Sequence, residues 1–513
     1  MSDAFLTALQ NTFSVHVLIV ILLSATFGLF VGAIPGLTAT MAVALMVPFT
    51  FFLDPIAGIA AIVTMEACCI FAGDIPTTLM RIPGTPSSAA YVDDAYALTR
   101  QNRHQQALGV SLVFSVTGGL IGSLVLILAA PQLARFAFEF SSYEYFWLCV
   151  LGLSCAAVVS RGSPVRGLLS LSIGLIIACI GLGSTHSVPR LTFGSDQLVT
   201  GINFIPAMIG LFGVSEVLRN VIRPADLSGP DRTTDSDRLK GNPLQRGLSE
   251  VFGGVTVRLK NSCGRILSSS AIGSCIGMLP GAGADIAAWV SYAVSKRRAS
   301  PEERAEYGQG SLQGIADATT ANNASLAGAW IPALVLGIPG DSVTAIVIGV
   351  LLMKNITPGP AIFQDEAQLP LVYGIYITFL LANLILIPLG FLAIRFGSLI
   401  VRIPRPNILP LILLFCIVGA FAINASYFDV WVMLAMGVLG FVLERIQIPL
   451  GPVVLGIILG PRLEETFVQN LTKSASLLDF FSRPIAAGLG ILCIALWAWP
   501  LIGWLLRRTR ASP

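Results

Sequence analysis

Apolar residues in this chain come in long runs, not in the alternation of a half-buried strand. Runs at about 15–36, 37–53, 56–73, 107–130, 143–160, 165–183 and 198–218 precede a polar stretch, 219–262; further runs follow at about 266–294, 320–353, 371–394, 407–423, 427–443, 449–460 and 484–506. Runs of this kind predict helices that cross or enter a hydrocarbon layer roughly 30 Å thick. The polar stretch holds Arg219, Arg223, Arg232, Arg238, Lys240, Arg246, Arg258 and Lys260 among Pro, Gly and Asp, and reads as a linker. The pattern divides the chain into a membrane repeat over 1–218, a linker over 219–262, a second membrane repeat over 263–470, and a final helix with its tail over 471–513.

Composition sharpens this reading. Of 513 residues, 55% are hydrophobic and only 12% are charged, and the mean hydropathy is +0.80. Soluble chains carry roughly a quarter charged residues, so the expected class is an all-α polytopic membrane protein. The balance of 31 Lys and Arg against 28 Asp and Glu offers no surface for tracking phosphates, which excludes nucleic acid as a partner. Residues before Val15 include Asp3 but no Lys or Arg, so a cleaved leader is not expected. Cys68, Cys69, Cys149, Cys155, Cys179, Cys275, Cys416 and Cys493 lie inside apolar runs, and Cys263 lies near the start of another. They read as small buried hydrophobes. His16, His104 and His186 have no ligand spacing. Without a His or Cys cluster, neither a bound metal nor an enzyme's nucleophile and base is expected.

The two halves repeat each other. Gly28-x3-Gly32-x2-Pro35-Gly36 recurs 245 residues later as Gly273-x3-Gly277-x2-Pro280-Gly281 (28 to 273). Pro206-x3-Gly210 recurs as Pro452-x3-Gly456, and Ile82-Pro83-Gly84 as Ile338-Pro339-Gly340. Charge then sets their relative orientation, since Lys and Arg mark cytoplasmic loops. In the first half the basic loops are near 100–104 (Arg100, Arg103) and 161–166 (Arg161, Arg166). In the second half they are 296–304 (Lys296, Arg297, Arg298, Arg304) and 395–405 (Arg395, Arg402, Arg405), whose first-half counterparts hold only Arg135. The bias changes sides, as inverted repeats require; parallel repeats would keep it on one side. The N-terminus is then expected outside, and the linker and the tail with Arg507, Arg508 and Arg510 inside.

Four Pro-Gly breaks fall within the membrane: Pro35 to Thr40, Pro83 to Ser88, Pro280 to Asp285, and Pro339 to Thr344. Proline removes a donor and glycine frees the backbone. Such backbone survives at depth only inside protein or beside a watery cavity. A half-helix start offers unpaired N–H groups to a carboxylate. The expected substrate shell is therefore Pro83, Gly84, Thr85, Ser87, Ser88, Pro339, Gly340, Ser342 and Thr344, completed by Asn322 and Asn323. Asp341, Asp285, Thr38 and Thr40 are expected to hold a coupling cation. The alternative is a set of plain kinks with capped helix starts. Glu66 and Asp74 are further intramembrane candidates. Arg81 has three readings: a substrate contact, a partner for Asp74, or an interfacial anchor. Glu216 and Glu464 read as interfacial, and Trp147, Trp431, Trp497 and Trp499 as belt or lipid-facing residues.

The paired Pro-Gly elements, Ala321-Asn322-Asn323-Ala324, and the run from Leu336-Gly337-Ile338-Pro339-Gly340 to Thr357-Pro358-Gly359-Pro360 resemble the large permease subunit of the tripartite tricarboxylate transporters, the TctA family. The resemblance runs from about residue 15 to 500 and places Asp94 and Tyr96 on the family's Asp-Gly-Tyr pattern. This chain departs from the family at Thr319, Ala72, Arg81 and Ala95, where Glu, Gly, Asn and Gly are frequent. The resemblance implies an elevator-type transporter in the bacterial inner membrane that takes up citrate-like di- or tricarboxylates on a Na⁺ or H⁺ gradient, without an organic cofactor. It also implies three partners: a small membrane subunit, a periplasmic substrate-binding protein and membrane lipid. A passive organic-anion channel is the alternative. No Gly-rich Lys-Ser/Thr loop is present, so ATP hydrolysis by this chain is not expected.

Overall fold

A computed structural model describes residues 2–35, 37–159, 164–183, 188–222, 250–281, 283–400, 405–474 and 476–510. Gly36, Arg161, His186, Ala282, Arg402 and residues 223–249 of the expected linker lie outside the described residues. The first half comprises α1 (Ser2–Thr12), α2 (Val15–Gly32), α3 (Ala39–Phe51), α4 (Pro55–Ala72), α5 (Asp74–Met80), α6 (Val92–Arg100), α7 (His104–Ala137), α8 (Ser142–Val159), α9 (Pro164–Ala178), α10 (Phe204–Met208) and α11 (Ser215–Ile222). An antiparallel ribbon of β1 (Gly181–Leu182) and β2 (Pro189–Arg190) precedes α10. A π-helical segment, Ile209–Val214, joins α10 to α11. The rest comprises α12 (Val255–Asn261), α13 (Cys263–Gly277), α14 (Gly283–Arg298), α15 (Pro301–Glu306), α16 (Leu312–Leu336), α17 (Ser342–Met353), α18 (Leu369–Ile400), α19 (Arg405–Asn424), α20 (Tyr427–Arg445), α21 (Leu450–Lys473) and α22 (Pro484–Arg510).

Six helical stretches among the described residues are long and apolar enough to cross a membrane: Val15–Gly32, Pro55–Met80, His104–Ala137, Phe204–Ile222, Leu369–Gly397 and Tyr427–Arg445. Two other expected runs are interrupted. The run 266–294 divides into α13 and α14, and 320–353 into α16 and α17. With 13 and 12 residues, α3 and α17 are each only about 20 Å long at 1.5 Å per residue, too short to cross alone.

Two helices are buried along nearly their whole length. Every residue from Ala57 to Ala72 on α4 and from Leu312 to Val335 on α16 is buried. Helices with no lipid-facing stripe are core helices. α2 packs on α4, α13 packs on α16, and α7 lies along α16 with α18 against both α4 and α7. Lipid offers no hydrophobic drive between helices, so close van der Waals approach through small residues must supply the contact. A Cβ on Gly28 or Gly32 would stand 2.5 or 2.4 Å from the carbonyl oxygens of Met65 and Cys69. On Gly273 or Gly277 it would stand 2.2 Å from those of Ala321 and Ser325. Each glycine pair is thus seated against two backbone carbonyls one turn apart, on α4 and on α16 respectively.

Contacts at helix ends join the two halves. Lys354 Nζ donates to the carbonyls of Phe51 and Leu53, both at 2.7 Å. Gln101 Nε2 donates to the Gln309 carbonyl at 3.1 Å, and Arg166 to Gln447 Oε1 at 2.7 Å. The loop at 51–53 therefore meets the loop at 354, while those at 101 and 166 meet those at 309 and 447.

Gly277→Val would put a branched side chain where the Ser325 carbonyl stands. Overpacking of this kind costs about 1–3 kcal/mol. The purified variant is expected to melt several degrees below wild type. Gly488→Ala, whose added methyl meets nothing within 4 Å, should melt with wild type. Equal melting of the two variants would show that α13 has room against α16.

Candidate functional site

The second break is built by side chains. The Thr77 hydroxyl, on α5, accepts from the Gly84 N–H at 3.1 Å and contacts the Gly73 carbonyl at 2.7 Å and Ser88 Oγ at 2.8 Å. Ser88 Oγ accepts from the Thr85 N–H at 3.2 Å, and Thr85 Oγ1 lies 2.8 Å from Ser87 Oγ. Hydroxyls that satisfy backbone groups locally compete with helix formation. The half-helix expected after Pro83-Gly84 is accordingly absent; one 3₁₀ turn, Ser88–Ala90, leads instead into the polar helix α6.

The other three breaks do start helices. Thr38 caps α3, its hydroxyl accepting from the Met41 N–H at 3.2 Å. Asp341 caps α17, with Oδ1 accepting from the Thr344 N–H and hydroxyl, each at 2.8 Å. The breaks before α14 and α17 are joined directly: the Gly281 N–H donates to the Gly340 carbonyl at 2.8 Å. Gly281 has φ +78°, and a Cβ there would stand 2.4 Å from Ala156 Cα, so this turn requires glycine.

All four break segments line one cavity of about 230 Å³. Thr38 to Thr40, Thr85 to Ser87, Gly283 to Asp285 and Asp341 to Val343 form its walls, with Glu66 from α4, Asn322 from α16, Ser215, Glu216 and Arg219 from α11, and Glu444 from α20. Five of these side chains are carboxyl groups and one is a guanidinium. Arg219 is already engaged, lying 2.5 Å from Glu216 and 3.6 Å from Glu444. Asn322 Nδ2 donates to Ser87 Oγ at 3.0 Å, while Asn322 Oδ1 and Glu66 Oε2 are buried without a hydrogen-bond partner. Among the described residues no three of His, Cys, Asp and Glu converge as a metal-ligating group.

Of the residues expected at a site, Thr38, Thr40, Thr85, Ser87, Asp285, Asn322, Asp341 and Ser342 line the cavity. The others stand behind it. Pro83, Gly84, Pro339 and Gly340 shape the backbone of two breaks, with Gly340 packed against Ala329. Ser88 and Thr344 turn their hydroxyls back into the loop and the cap. Asn323 Nδ2 faces the Thr319 carbonyl of its own helix at 3.4 Å. Of the three readings of Arg81 the structure bears on one: its guanidinium pairs with Asp93 at 2.8 Å and not with Asp74. Asp74 instead accepts from the hydroxyls of Tyr91, at 2.5 Å, and Ser111. Asp94 binds across the halves: Oδ1 accepts from the N–H groups of Gly308, Gly310 and Ser311 at 2.6, 3.0 and 2.9 Å, and Oδ2 from the Tyr292 hydroxyl at 2.6 Å. Glu464 holds Arg190 through two bonds of 2.8 and 2.9 Å. Glu216 is buried in the cavity wall. It was missed with Arg219 and Glu444 because each stands near the end of its run. Only the packing of α11 on α20 brings them together.

The family model described as "Tripartite tricarboxylate transporter TctA family" matches residues 18–455, a stretch that contains every break and the whole cavity. The chain belongs to the TctA family. This is a family of multi-pass membrane transporters and not of enzymes. The TctA chain is 32% identical over 482 residues to an uncharacterized 52.8 kDa protein in the TAR-I ttuC' 3' region of Agrobacterium vitis, covering 93% of this chain and 92% of that protein. It is 36% identical over 234 residues to an uncharacterized protein in the TAR-II ttuC' 3' region of the same organism, covering 45% of this chain and 95% of that protein. No solved structure matches it.

Thr77→Val removes the hydroxyl that holds Gly84 and Ser88. Amide hydrogen exchange over residues 82–90 is expected to quicken in this variant and to stay near wild type in Thr77→Ser. Unchanged exchange in Thr77→Val would mean that the loop holds its shape without that hydroxyl.

Proposed function

We propose that this TctA protein is the permease that carries a citrate-like di- or tricarboxylate across the bacterial inner membrane in symport with Na⁺ or H⁺. One observation carries the reading: four broken segments converge on a cavity with five carboxyl groups and one engaged guanidinium. The starts of α3, α14 and α17 offer N–H groups to an anion. The carboxyl groups repel the same anion unless cations or protons enter with it. A site of this composition favours loading substrate and cation together, which is what symport needs. In this reading Ser87, Ser342 and Thr85 donate to the substrate, Asn322 completes its shell, and Asp341, Asp285, Thr38 and Thr40 face the cation. Ser88, Thr344 and Asn323 support the loop and helices from behind.

The proposal includes two inverted repeats that move as an elevator. In its favour, the turns of α4 and α16 that receive the paired glycines are 256 residues apart (65 to 321, 69 to 325), as are the two Ile-Pro-Gly breaks (82 to 338). The proposal places the N-terminus in the periplasm and the tail in the cytoplasm, because the face with Lys296, Arg297 and Arg298 is the more basic. A periplasmic binding protein would deliver the substrate, and a small membrane subunit would complete the transporter. Exposed Ile19, Leu22 and Leu23 suit contact with lipid.

In proteoliposomes, preloaded unlabelled substrate is expected to accelerate entry of labelled substrate, and uptake should stop when the ion gradient is dissipated. Flux without that acceleration would identify a channel instead. A charge-assisted hydrogen bond is worth roughly 1.5–3 kcal/mol, so Ser87→Ala and Ser342→Ala should each weaken apparent affinity about ten-fold or more. Asp341→Asn should change ion dependence more than substrate affinity. Normal affinity in both serine variants, with ion dependence intact in Asp341→Asn, would place the site elsewhere.

Sidedness is tested separately. With an impermeant thiol reagent in cells whose outer membrane is permeabilised, a cysteine at Glu366 should label and one at Glu302 should stay shielded. The reverse pattern would invert the orientation.

A further inference from the structure

Beyond α17 lies space of the opposite electrical character. Two adjoining cavities of about 730 and 520 Å³ share Ile348 and Leu352 of α17 with Ile458, Arg462 and Glu465 of α21. Each is large enough for a small organic acid. The 520 Å³ cavity carries Arg462 and Lys473 against the single carboxylate of Glu465. The Arg462 guanidinium makes no hydrogen bond or ion pair among the described residues, while the residue's carbonyl accepts from the Thr466 hydroxyl at 2.9 Å. Glu465, one turn further along α21, accepts instead from Gln469 at 3.2 Å. Lys473 is held by Ser142 Oγ at 2.8 Å and lies over the Tyr143 ring. The junction of the two cavities thus presents a guanidinium fork with its donors unspent, the geometry that pairs with a carboxylate.

The same cavity reaches Gly337 and Ile338, while Asp341 reaches the cavity where the breaks meet. Residues 337–341 therefore border both spaces, one at each end of the segment.

We infer that Arg462 anchors a carboxylate of the incoming polycarboxylate in this outer space, a first binding site distinct from the break cavity, with residues 337–341 forming the passage between them. The assignment rests on the reading that the chain carries a polycarboxylate. Opposite charge in the two spaces gives them different tasks. The outer one attracts the anion by itself, and the inner one accepts it only with cations.

Citrate binding to the purified full-length chain, measured by calorimetry, tests the site apart from transport. Arg462→Gln is expected to weaken binding about ten-fold or more, with partial recovery in Arg462→Lys, which keeps the charge but loses the fork. Glu465→Gln should tighten binding, and added salt should weaken wild type more than Arg462→Gln. Glu465→Gln decides the matter if Arg462→Gln does not fold. Unchanged citrate affinity in Arg462→Gln and Glu465→Gln, or no citrate binding by the wild-type chain, would overturn the site. Arg462-dependent binding without uptake into vesicles would support the site and count against the transport reading instead.

Discussion

Backbone that leaves the helix inside a membrane must find its hydrogen bonds within the protein, and this requirement shapes the molecule. Each break meets it differently. Before α3 and α17 a capping side chain takes one N–H of the first turn, that of Met41 or Thr344. Between the breaks of the second half, one loop's carbonyl takes the other's N–H. After Pro83-Gly84 three hydroxyls do the work of a helix turn. The two second-half breaks depend on one another and so lie close together, and Asn322 of α16 ties the loop after Pro83 to the same cavity through Ser87.

Glycine makes that convergence sterically possible. α4 and α16 are enclosed on all sides, and α2 and α13 reach them only where the side chain is missing. The glycines that recur in the two halves of the sequence are therefore among those that set helix distance in the fold. Beside this packing stand the two short helices of the cavity, α3 and α17, which end before they could span the layer.

Much of this was legible from residue order. Helical class, the break positions and the cavity-lining role of Ser87, Asn322 and Ser342 follow from local signals: long apolar runs, Pro-Gly pairs and hydroxyls beside them. The fate of the segment after Pro83 was not, since its hydroxyls read equally well as a helix start and as a self-satisfied loop; Thr77, earlier in the chain, decides between them. Glu216, Arg219 and Glu444 were hidden for another reason. Charge near the end of an apolar run is ordinary, and only the crossing of two distant helices turns it inward.

The Asp94 carboxylate has a bearing on how the protein is made. Its partners among Gly308, Gly310 and Ser311 lie 214, 216 and 217 residues further along the chain. At roughly 5–20 residues per second, a ribosome needs on the order of ten to forty seconds to supply them. During that interval α6 is present with its acceptor unfilled, and the first half waits as an incomplete assembly. The first half is therefore complete at this carboxylate only once the loop at 308–311 has been made.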